Sequence, residues 1–115
     1  MQDITIWHNP RCSKSRDALK FLEDKKLNIT VIKYLDVKIT KEDITEILQM
    51  LGMGARDMMR TKEDIYKELN LKDEKDEDKL IEAMVNNPKL IERPIVIKDG
   101  SAVIARPLEK INELF

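Results

Sequence analysis

In the first third of the chain, two short runs rich in β-branched residues lie on either side of a segment whose apolar residues recur at helical spacing. Ile4–Trp7 is a β-branched and aromatic run followed by Asn9-Pro10, which predicts a buried strand and then a turn. From Ser13 to about Lys26, apolar side chains recur at helical spacing with polar ones opposite them. Ile29–Leu35 predicts a second strand. A strand, a helix and a strand in about 35 residues indicate a βαβ unit with parallel strands and a right-handed crossover.

The middle of the chain, about residues 40–87, is predicted to be an inserted helical segment. Thr40–Asp43 has the form of a capping box, and the apolar stripe after it ends at Gly52. A short helix is predicted around Ala55 to Met59, and Thr61–Asp64 repeats the cap pattern. The last helix of this segment is indicated by a stripe of Leu80, Ile81, Met84 and Val85.

The last part of the chain returns to strands. Ile95–Lys98 and Ala102–Ala105 flank Asp99-Gly100, which is a strong signal for a two-residue hairpin turn. Leu108–Phe115 then predicts a closing helix. The order β-α-β, helices, β-β-α is that of an α/β thioredoxin-like fold with a mixed four-stranded sheet. We therefore predict one such domain over residues 1–115, with the helical segment as an insertion.

Composition narrows the classes of function. The 115 residues are 42% hydrophobic and 37% charged with a net charge of −1, so no overall basic field exists to bind nucleic acid or an anionic membrane. One Cys and one His exclude an intramolecular disulfide and a structural zinc site of Cys and His. No signal-peptide pattern or membrane-spanning apolar run occurs. We expect a cytoplasmic monomer without a metal or a tightly bound cofactor.

The only cysteine, Cys12, lies between the first strand and the first helix. The backbone N–H groups that begin a helix stabilise a thiolate and can lower its pKa from about 8.5 to roughly 3.5–7.5. Arg11, Lys14 and Arg16 are expected to act in the same direction, and the same groups would hold a tetrahedral oxyanion. A buried, inert cysteine is the alternative. A polar loop rich in cations and free of acids favours a reactive thiol.

The residues around Cys12 limit the kind of thiol chemistry. Ser15 stands where a redox CxxC motif carries its second cysteine, so an external thiol must complete any catalytic cycle. Ser15 could donate a hydrogen bond to the thiolate or only cap the helix. His8 is equally open to a functional and a structural interpretation. A phosphatase loop is excluded because Ala18, and not arginine, follows Cys12 by six positions.

Two arginines are predicted to lie opposite each other at the open end of the hairpin. With Asp99-Gly100 as a two-residue turn, opposed residue numbers sum to 199, which pairs Arg93 with Arg106. Like charges directly opposite are unfavourable, and an anion between them would remove that cost. The alternative is that both side chains extend into water. Pro94 and Pro107 follow the two arginines, and position alone favours trans peptide bonds.

Other candidates in the insertion have simpler explanations. Arg56 and Arg60 are four residues apart and, on periodicity alone, form a solvated face. The methionines are more simply explained as core than as metal ligands. They are Met50, Met53, Met58 and Met59.

Taken together, four segments resemble the glutaredoxin-coupled arsenate reductases, and they span nearly the whole chain. The segments are His8-Asn9-Pro10-x-Cys12-x-x-Ser15-Arg16, Arg60-Thr61 with Tyr66 and Leu69, Pro88-x-Leu90-Ile91-x-Arg93-Pro94-Ile95, and Arg106-Pro107-x-Glu109. Each segment alone is weak evidence for the family, whereas all four segments in this order are specific for it. Because the chain ends soon after the final helix, where better-understood members carry a longer tail, the resemblance is to a short subgroup.

This resemblance implies a site and a reaction. Its residues would be Cys12 as the catalytic nucleophile, Arg60, Arg93 and Arg106 as oxyanion ligands, His8 and Ser15 as groups that tune the thiolate, and Asn9, Arg16 and a cis Pro94 as loop support. The implied chemistry is attack of Cys12 on arsenate, release of arsenite by glutathione as co-substrate, and reduction of the mixed disulfide by glutaredoxin as partner.

Two other functions stay open beside arsenate reduction. One is a thiol-based reductase of this fold acting on another substrate, such as a glutathionylated protein. The other is a non-catalytic redox regulator that binds RNA polymerase, although such regulators carry a CxxC switch and Ser15 argues against that mode. Arg11, Ser13 and Lys14 also differ from the residues expected in the best-understood reductases.

Overall fold

A computed structural model of the chain describes residues 3–115 in two compact units. The first unit joins the residues up to Val37 with Arg93–Phe115, and the second unit is Lys38–Glu92. The helical insertion predicted at about 40–87 corresponds to the second unit. The single domain over 1–115 stays a prediction. Between residues 3 and 115, no helix is both long and apolar enough to span a membrane.

The first unit contains the predicted mixed sheet. Its strands are β1 (Asp3–Trp7), β2 (Asn28–Ile32), β3 (Ile95–Lys98) and β4 (Ser101–Ile104). They lie in the order β2-β1-β3-β4, with β1 parallel to β2 and the other two pairings antiparallel. Helix α1 (Ser13–Asp24) connects the two parallel strands. This arrangement confirms the thioredoxin-like fold.

One face of the sheet forms the core with α1 and the C-terminal segment. Ala18 and Leu22 of α1 pack with the alternate strand residues Ile4 and Ile6, and all are buried. The segment Leu108–Leu114 is a 3-10 helix and not the α-helix that we predicted. Its apolar residues explain the difference, because a spacing of three places them along one line of a 3-10 helix. They are Leu108, Ile111 and Leu114.

Strand β2 ends three residues earlier than predicted. The partner strand β1 stops at Trp7, which is paired with Ile32, so no strand is left to bond with the following residues. The chain instead turns, and the Asp36 N–H donates to the Lys33 carbonyl at 2.9 Å. Tyr34 is buried after the strand and stacks on Trp7 with ring centroids 6.1 Å apart.

The hairpin has the predicted register. Lys98 is paired with Ser101 and Ile95 with Ile104, which fits the sum of 199. Asp99 and Gly100 have φ angles of 52° and 79°, the two positive values that a type I′ turn requires. The pairing extends beyond the strands, since the Ala105 N–H donates to the Pro94 carbonyl at 2.9 Å. The opposition of Arg93 and Arg106 one step further stays a prediction.

Both peptide bonds that follow the hairpin arginines are cis. They are Arg93-Pro94 and Arg106-Pro107. The expectation of trans bonds rested on the general preference of X-Pro bonds and is wrong here. The cis bond before Pro94 agrees with what the family resemblance implies.

The second unit is helical, as predicted. Its helices are α2 (Lys41–Leu51), α3 (Asp64–Glu68) and α4 (Glu77–Asn86), with short 3-10 helices at Ala55–Met58, Leu71–Asp73 and Pro88–Leu90. The capping box is confirmed at α2, where the Asp43 N–H donates to Thr40 Oγ1 and the Thr40 N–H donates to Asp43 Oδ2. Gly52 ends α2 with a φ of 68°.

The predicted helix start at Thr61 is wrong. Helix α3 begins at Asp64 with Glu63 at the N-cap position. The preceding backbone is extended, because the Arg60 N–H donates to the Leu90 carbonyl at 2.7 Å. The chain must first turn, with the Glu63 N–H donating to the Arg60 carbonyl, before it can enter a helix.

Arg56 does not belong to a solvated face, contrary to the prediction from periodicity. It is half-buried and donates to the Tyr66 hydroxyl oxygen, to the Leu71 carbonyl at 2.9 Å and to the Glu74 carbonyl. One guanidinium therefore connects helix α3 with both ends of the 3-10 helix at Leu71–Asp73, ten to eighteen residues further along the chain. The methionines are core residues where they are buried, at Met58 and Met59.

We expect Arg56→Met to lower the free energy of unfolding by roughly 1.5–3 kcal/mol, because two partly buried carbonyls lose a charged donor. Urea denaturation measures this change. The matched control is Lys72→Met, which removes the charge of an exposed side chain. Equal stabilities of the two variants would show that the Arg56 contacts do not support the unit.

Candidate active site

The loop between β1 and α1 is fixed by its own backbone and side chains. The His8 N–H donates to the Ile32 carbonyl at 2.8 Å, which anchors the loop to the end of β2. Asn9 closes a turn, since its side-chain Oδ1 accepts from the Arg11 N–H at 3.0 Å. Arg16 donates from its guanidinium to the Pro10 carbonyl at 3.1 Å. Asn9 and Arg16 thus both contact the backbone of the loop, and their role as loop support stays a prediction.

The Ser15 hydroxyl is used inside this loop. It is completely buried, accepts a hydrogen bond from the Asn9 N–H at 3.0 Å and lies 2.8 Å from His8 Nδ1. The hydroxyl therefore fastens both residues to the start of α1. A hydrogen bond from this hydroxyl to the thiolate, one of the two options that the sequence left open, stays a prediction.

Cys12 occupies the N-cap position of α1 with an extended backbone, and its side chain is 8% exposed. Burial by itself raises the pKa of the Cys12 thiol. The Ser15 N–H, the charge of Arg93, the Lys14 N–H and a hydrogen bond from the Arg93 side chain together outweigh burial, so the pKa lies below its ordinary value. The thiol is thus buried yet biased toward the thiolate.

Arg93 supplies the leading charge on Cys12, although it comes from the segment before β3. The expectation that Arg11, Lys14 and Arg16 supply this charge is not met, because their side chains are exposed to water, which screens them. Local sequence gave no signal for the contact between Arg93 and Cys12. Pairing of β3 with β1 ends at Trp7 and Ile95, which brings the two loops to the same edge of the sheet.

His8 is buried, and its pKa lies below the ordinary 6.5. Burial is the largest cause, followed by the positive charge of Lys33. His8 is therefore neutral at pH 7 and adds no positive charge beside the thiolate. Its contact with Ser15 places it in the structure of the loop, which favours the structural interpretation that the sequence left open.

Arg60 lies in the second unit and is held by two carboxylates. Its Nη1 is 3.2 Å from Glu63 Oε1, and its Nε is 3.8 Å from Glu92 Oε1. Its side chain is 27% exposed. The solvated arginine predicted from periodicity is therefore replaced by a partly buried arginine in a pair of ion pairs.

These residues can support nucleophilic chemistry on an anion. A thiolate-biased cysteine lies beside a permanent cation, Arg93, and the half-buried Arg106 follows β4 in the same unit. Guanidinium groups suit a tetrahedral oxyanion by geometry and charge. No group of three or more His, Cys, Asp or Glu that could hold a metal ion occurs within the described residues 3–115.

Comparison with known proteins identifies close relatives. The sequence model of the ArsC family matches residues 7–114. A protein named arsenate reductase from Neisseria meningitidis serogroup B is 48% identical over 114 residues, which is 97% of each chain. The uncharacterized protein YfgD of Escherichia coli K12 is 48% identical over 98% of this chain and 97% of its own length. The solved structure of an arsenate reductase from Vibrio cholerae superimposes with a TM-score of 0.95, at 46% identity over 99% of this chain and 98% of that chain.

Arg93→Gln is expected to raise the pKa of the Cys12 thiol, because it removes the leading positive charge. The midpoint of the pH profile for alkylation of Cys12 by iodoacetamide measures this pKa. Arg11→Gln is the matched control, since it removes an exposed cation of the same loop and should leave the midpoint unchanged. A larger shift in the Arg11 variant would return the leading role to the loop cations.

The lowered pKa of His8 predicts that the free energy of unfolding decreases as the solution becomes more acidic. A neutral His8 contributes stability that is fully present above pH 6.5, and this contribution is lost as the pH falls toward the lower pKa of the folded protein. We expect His8→Gln to lose less stability than the wild type between pH 7.5 and 5.5 in urea unfolding. Since His8 is the only histidine, parallel curves for the two proteins would contradict the lowered pKa.

Proposed function

The chain belongs to the ArsC family, and from this premise we propose that it is an arsenate reductase with Cys12 as the nucleophile. The observation that carries the proposal is the position of Cys12 at the start of α1, where the Ser15 N–H and Arg93 lower the pKa of its thiol against the effect of burial. The thiolate is the reactive form of cysteine. A cysteine kept only for packing would not need these contacts.

Three arginines are proposed as oxyanion ligands. They are Arg60, Arg93 and Arg106, the residues that the family resemblance implies. Each is a permanent cation with several donors, so the set neutralises a dianion and the charge that develops on its departing oxygen. In this proposal His8 and Ser15 tune the thiolate through the loop that they hold, with Asn9 and Arg16 as its support.

The proposed reaction balances with one protein thiol. The Cys12 thiolate forms a bond to arsenic, and one arsenate oxygen leaves as water after protonation. The thiol of glutathione then bonds to the Cys12 sulfur while the electron pair of the sulfur–arsenic bond stays on arsenic. Arsenic(V) is thereby reduced to arsenic(III) and leaves as arsenite, and the two thiols are oxidised to a mixed disulfide.

Glutathione and glutaredoxin are the proposed reductants. The sequence contains no second cysteine that could attack the Cys12 mixed disulfide, so the resolving thiol must come from another molecule. Glutaredoxin would attack the glutathione sulfur and restore the Cys12 thiol. Both reductants belong to a reducing compartment, which is why we propose the cytoplasm as the site of the reaction.

The test is arsenate-dependent oxidation of NADPH with glutathione, glutaredoxin and glutathione reductase supplied. We expect turnover that is lost in Cys12→Ser. Reactive Cys12 without turnover would discard arsenate as the substrate and favour a glutathionylated protein. Recovery of RNA polymerase subunits in a pull-down, again without turnover, would favour the regulator.

The arginine variants test the oxyanion site. Arg60→Ala, Arg93→Ala and Arg106→Ala should each lower kcat/KM for arsenate by about tenfold or more, because each removes a charged hydrogen bond. Arg60→Ala should keep the alkylation rate of Cys12, which separates loss of anion binding from misfolding. Lys72→Ala, which removes an exposed cation, is the control and should keep full activity.

A further inference from the structure

Arg60 is in contact with negative charge before any substrate arrives. Glu63 and Glu92 approach different nitrogens of the guanidinium, Nη1 at 3.2 Å and Nε at 3.8 Å. Both carboxylates are about as exposed as Arg60 itself, at 31% and 25%. The three side chains therefore form a partly buried cluster in which two carboxylates contact one guanidinium.

The backbone fixes this cluster. Met59 and Ile91 form an antiparallel bridge, flanked by hydrogen bonds from the Arg60 N–H to the Leu90 carbonyl and from the Glu92 N–H to the Met58 carbonyl. Arg60 and Glu92 are diagonal neighbours across this bridge and lie on the same face of it. Glu63 is held by the turn in which its N–H donates to the Arg60 carbonyl at 3.2 Å. The bridge thus fixes the backbone of Glu92 beside Arg60, and the turn fixes the backbone of Glu63.

Two carboxylates beside an arginine oppose the binding of an anion. An incoming dianion must share or replace the partners of the guanidinium, and it also meets the repulsion of the two negative charges. Orientation of Arg60 by the same contacts is a smaller effect, because ion pairs exposed to this degree hold a side chain only weakly. Repulsion is therefore the larger effect, and the two carboxylates weaken the binding of an anion at Arg60.

We propose that Glu63 and Glu92 set the oxyanion affinity of the site by competing with the substrate for Arg60. The inference rests on the proposed function, since it requires Arg60 to be an oxyanion ligand. The two glutamates weaken binding of arsenate and of other tetrahedral dianions alike, because they act through charge. They are affinity-setting residues and take no part in bond formation.

The experiment replaces each carboxylate by its amide. Glu63→Gln and Glu92→Gln keep the size and an acceptor oxygen for Arg60 while removing the negative charge. The matched control is Glu82→Gln, which removes an exposed carboxylate of α4 and gives the same change in net charge. Inorganic phosphate is the probe, and its dissociation constant is read from the protection of Cys12 against iodoacetamide.

We expect phosphate to bind roughly two- to fivefold more tightly to each Gln variant, the size of effect given by one partly exposed ion pair. In the coupled assay KM for arsenate should fall by the same factor without a rise in kcat, because a charge effect on binding acts on substrate and transition state alike. The Glu82→Gln protein should match the wild type in both measurements. Circular dichroism of each variant shows whether it is folded.

Each other outcome has a defined meaning. Weaker phosphate binding in the Gln variants would overturn the inference and make the glutamates orienting residues of Arg60. Phosphate affinities equal to that of Glu82→Gln would also overturn it. The Arg60→Ala variant distinguishes failure of the inference from failure of the proposed role of Arg60 as an oxyanion ligand. If it weakens phosphate binding while the Gln variants match the control, the inference alone fails. An unchanged affinity in Arg60→Ala would remove Arg60 from the oxyanion site and overturn the proposal beneath the inference.

Discussion

The first backbone N–H groups of α1 have no partners within the helix, and the chemistry of Cys12 depends on them. Burial of the sulfur favours the neutral thiol, so a thiolate there requires an opposing contribution. The N–H groups of Ser15 and Lys14 and the guanidinium of Arg93 provide it. The loop must also keep its shape for the sulfur to lie at that helix end, which is the task of the Ser15 hydroxyl. One serine thus serves the thiol twice, through its backbone and through its side chain.

Features set by short-range geometry could be predicted from the sequence. The hairpin register follows from Asp99-Gly100 alone, and the capping box of α2 follows from Thr40 and Asp43. Features set by contacts between residues far apart in the sequence could not be predicted. The end of β2 is decided by where β1 stops, and Arg56 is half-buried because groups ten or more residues away accept its hydrogen bonds. Periodicity along one helix carries no information about either.

The candidate site shows the same division. The position of Cys12 at the start of a helix and the lowered pKa of its thiol could be predicted from the sequence, because the helix end is local. The source of the leading positive charge could not be predicted, because Arg93 is 81 positions away from Cys12 in the sequence. The pairing of β3 with β1 brings the two residues together. Neighbouring cations in the sequence, such as Arg11, point into water instead. The neutral state of His8 likewise depends on burial and on Lys33 from the end of β2.

Arg93 and Arg60 have different partners before any anion binds. A hydrogen bond from the Arg93 side chain favours the Cys12 thiolate, and in the proposed reaction the negative charge moves from this sulfur toward the departing oxygen. Arg93 therefore loses one anionic partner as another forms, which lets it stabilise the transition state without first binding substrate tightly. Arg60 begins in contact with Glu63 and Glu92, and in the proposed site the oxyanion must share or replace these partners. In the proposed site both arrangements limit the binding of the free oxyanion and leave the electrostatic stabilisation to be realised as charge develops in the transition state.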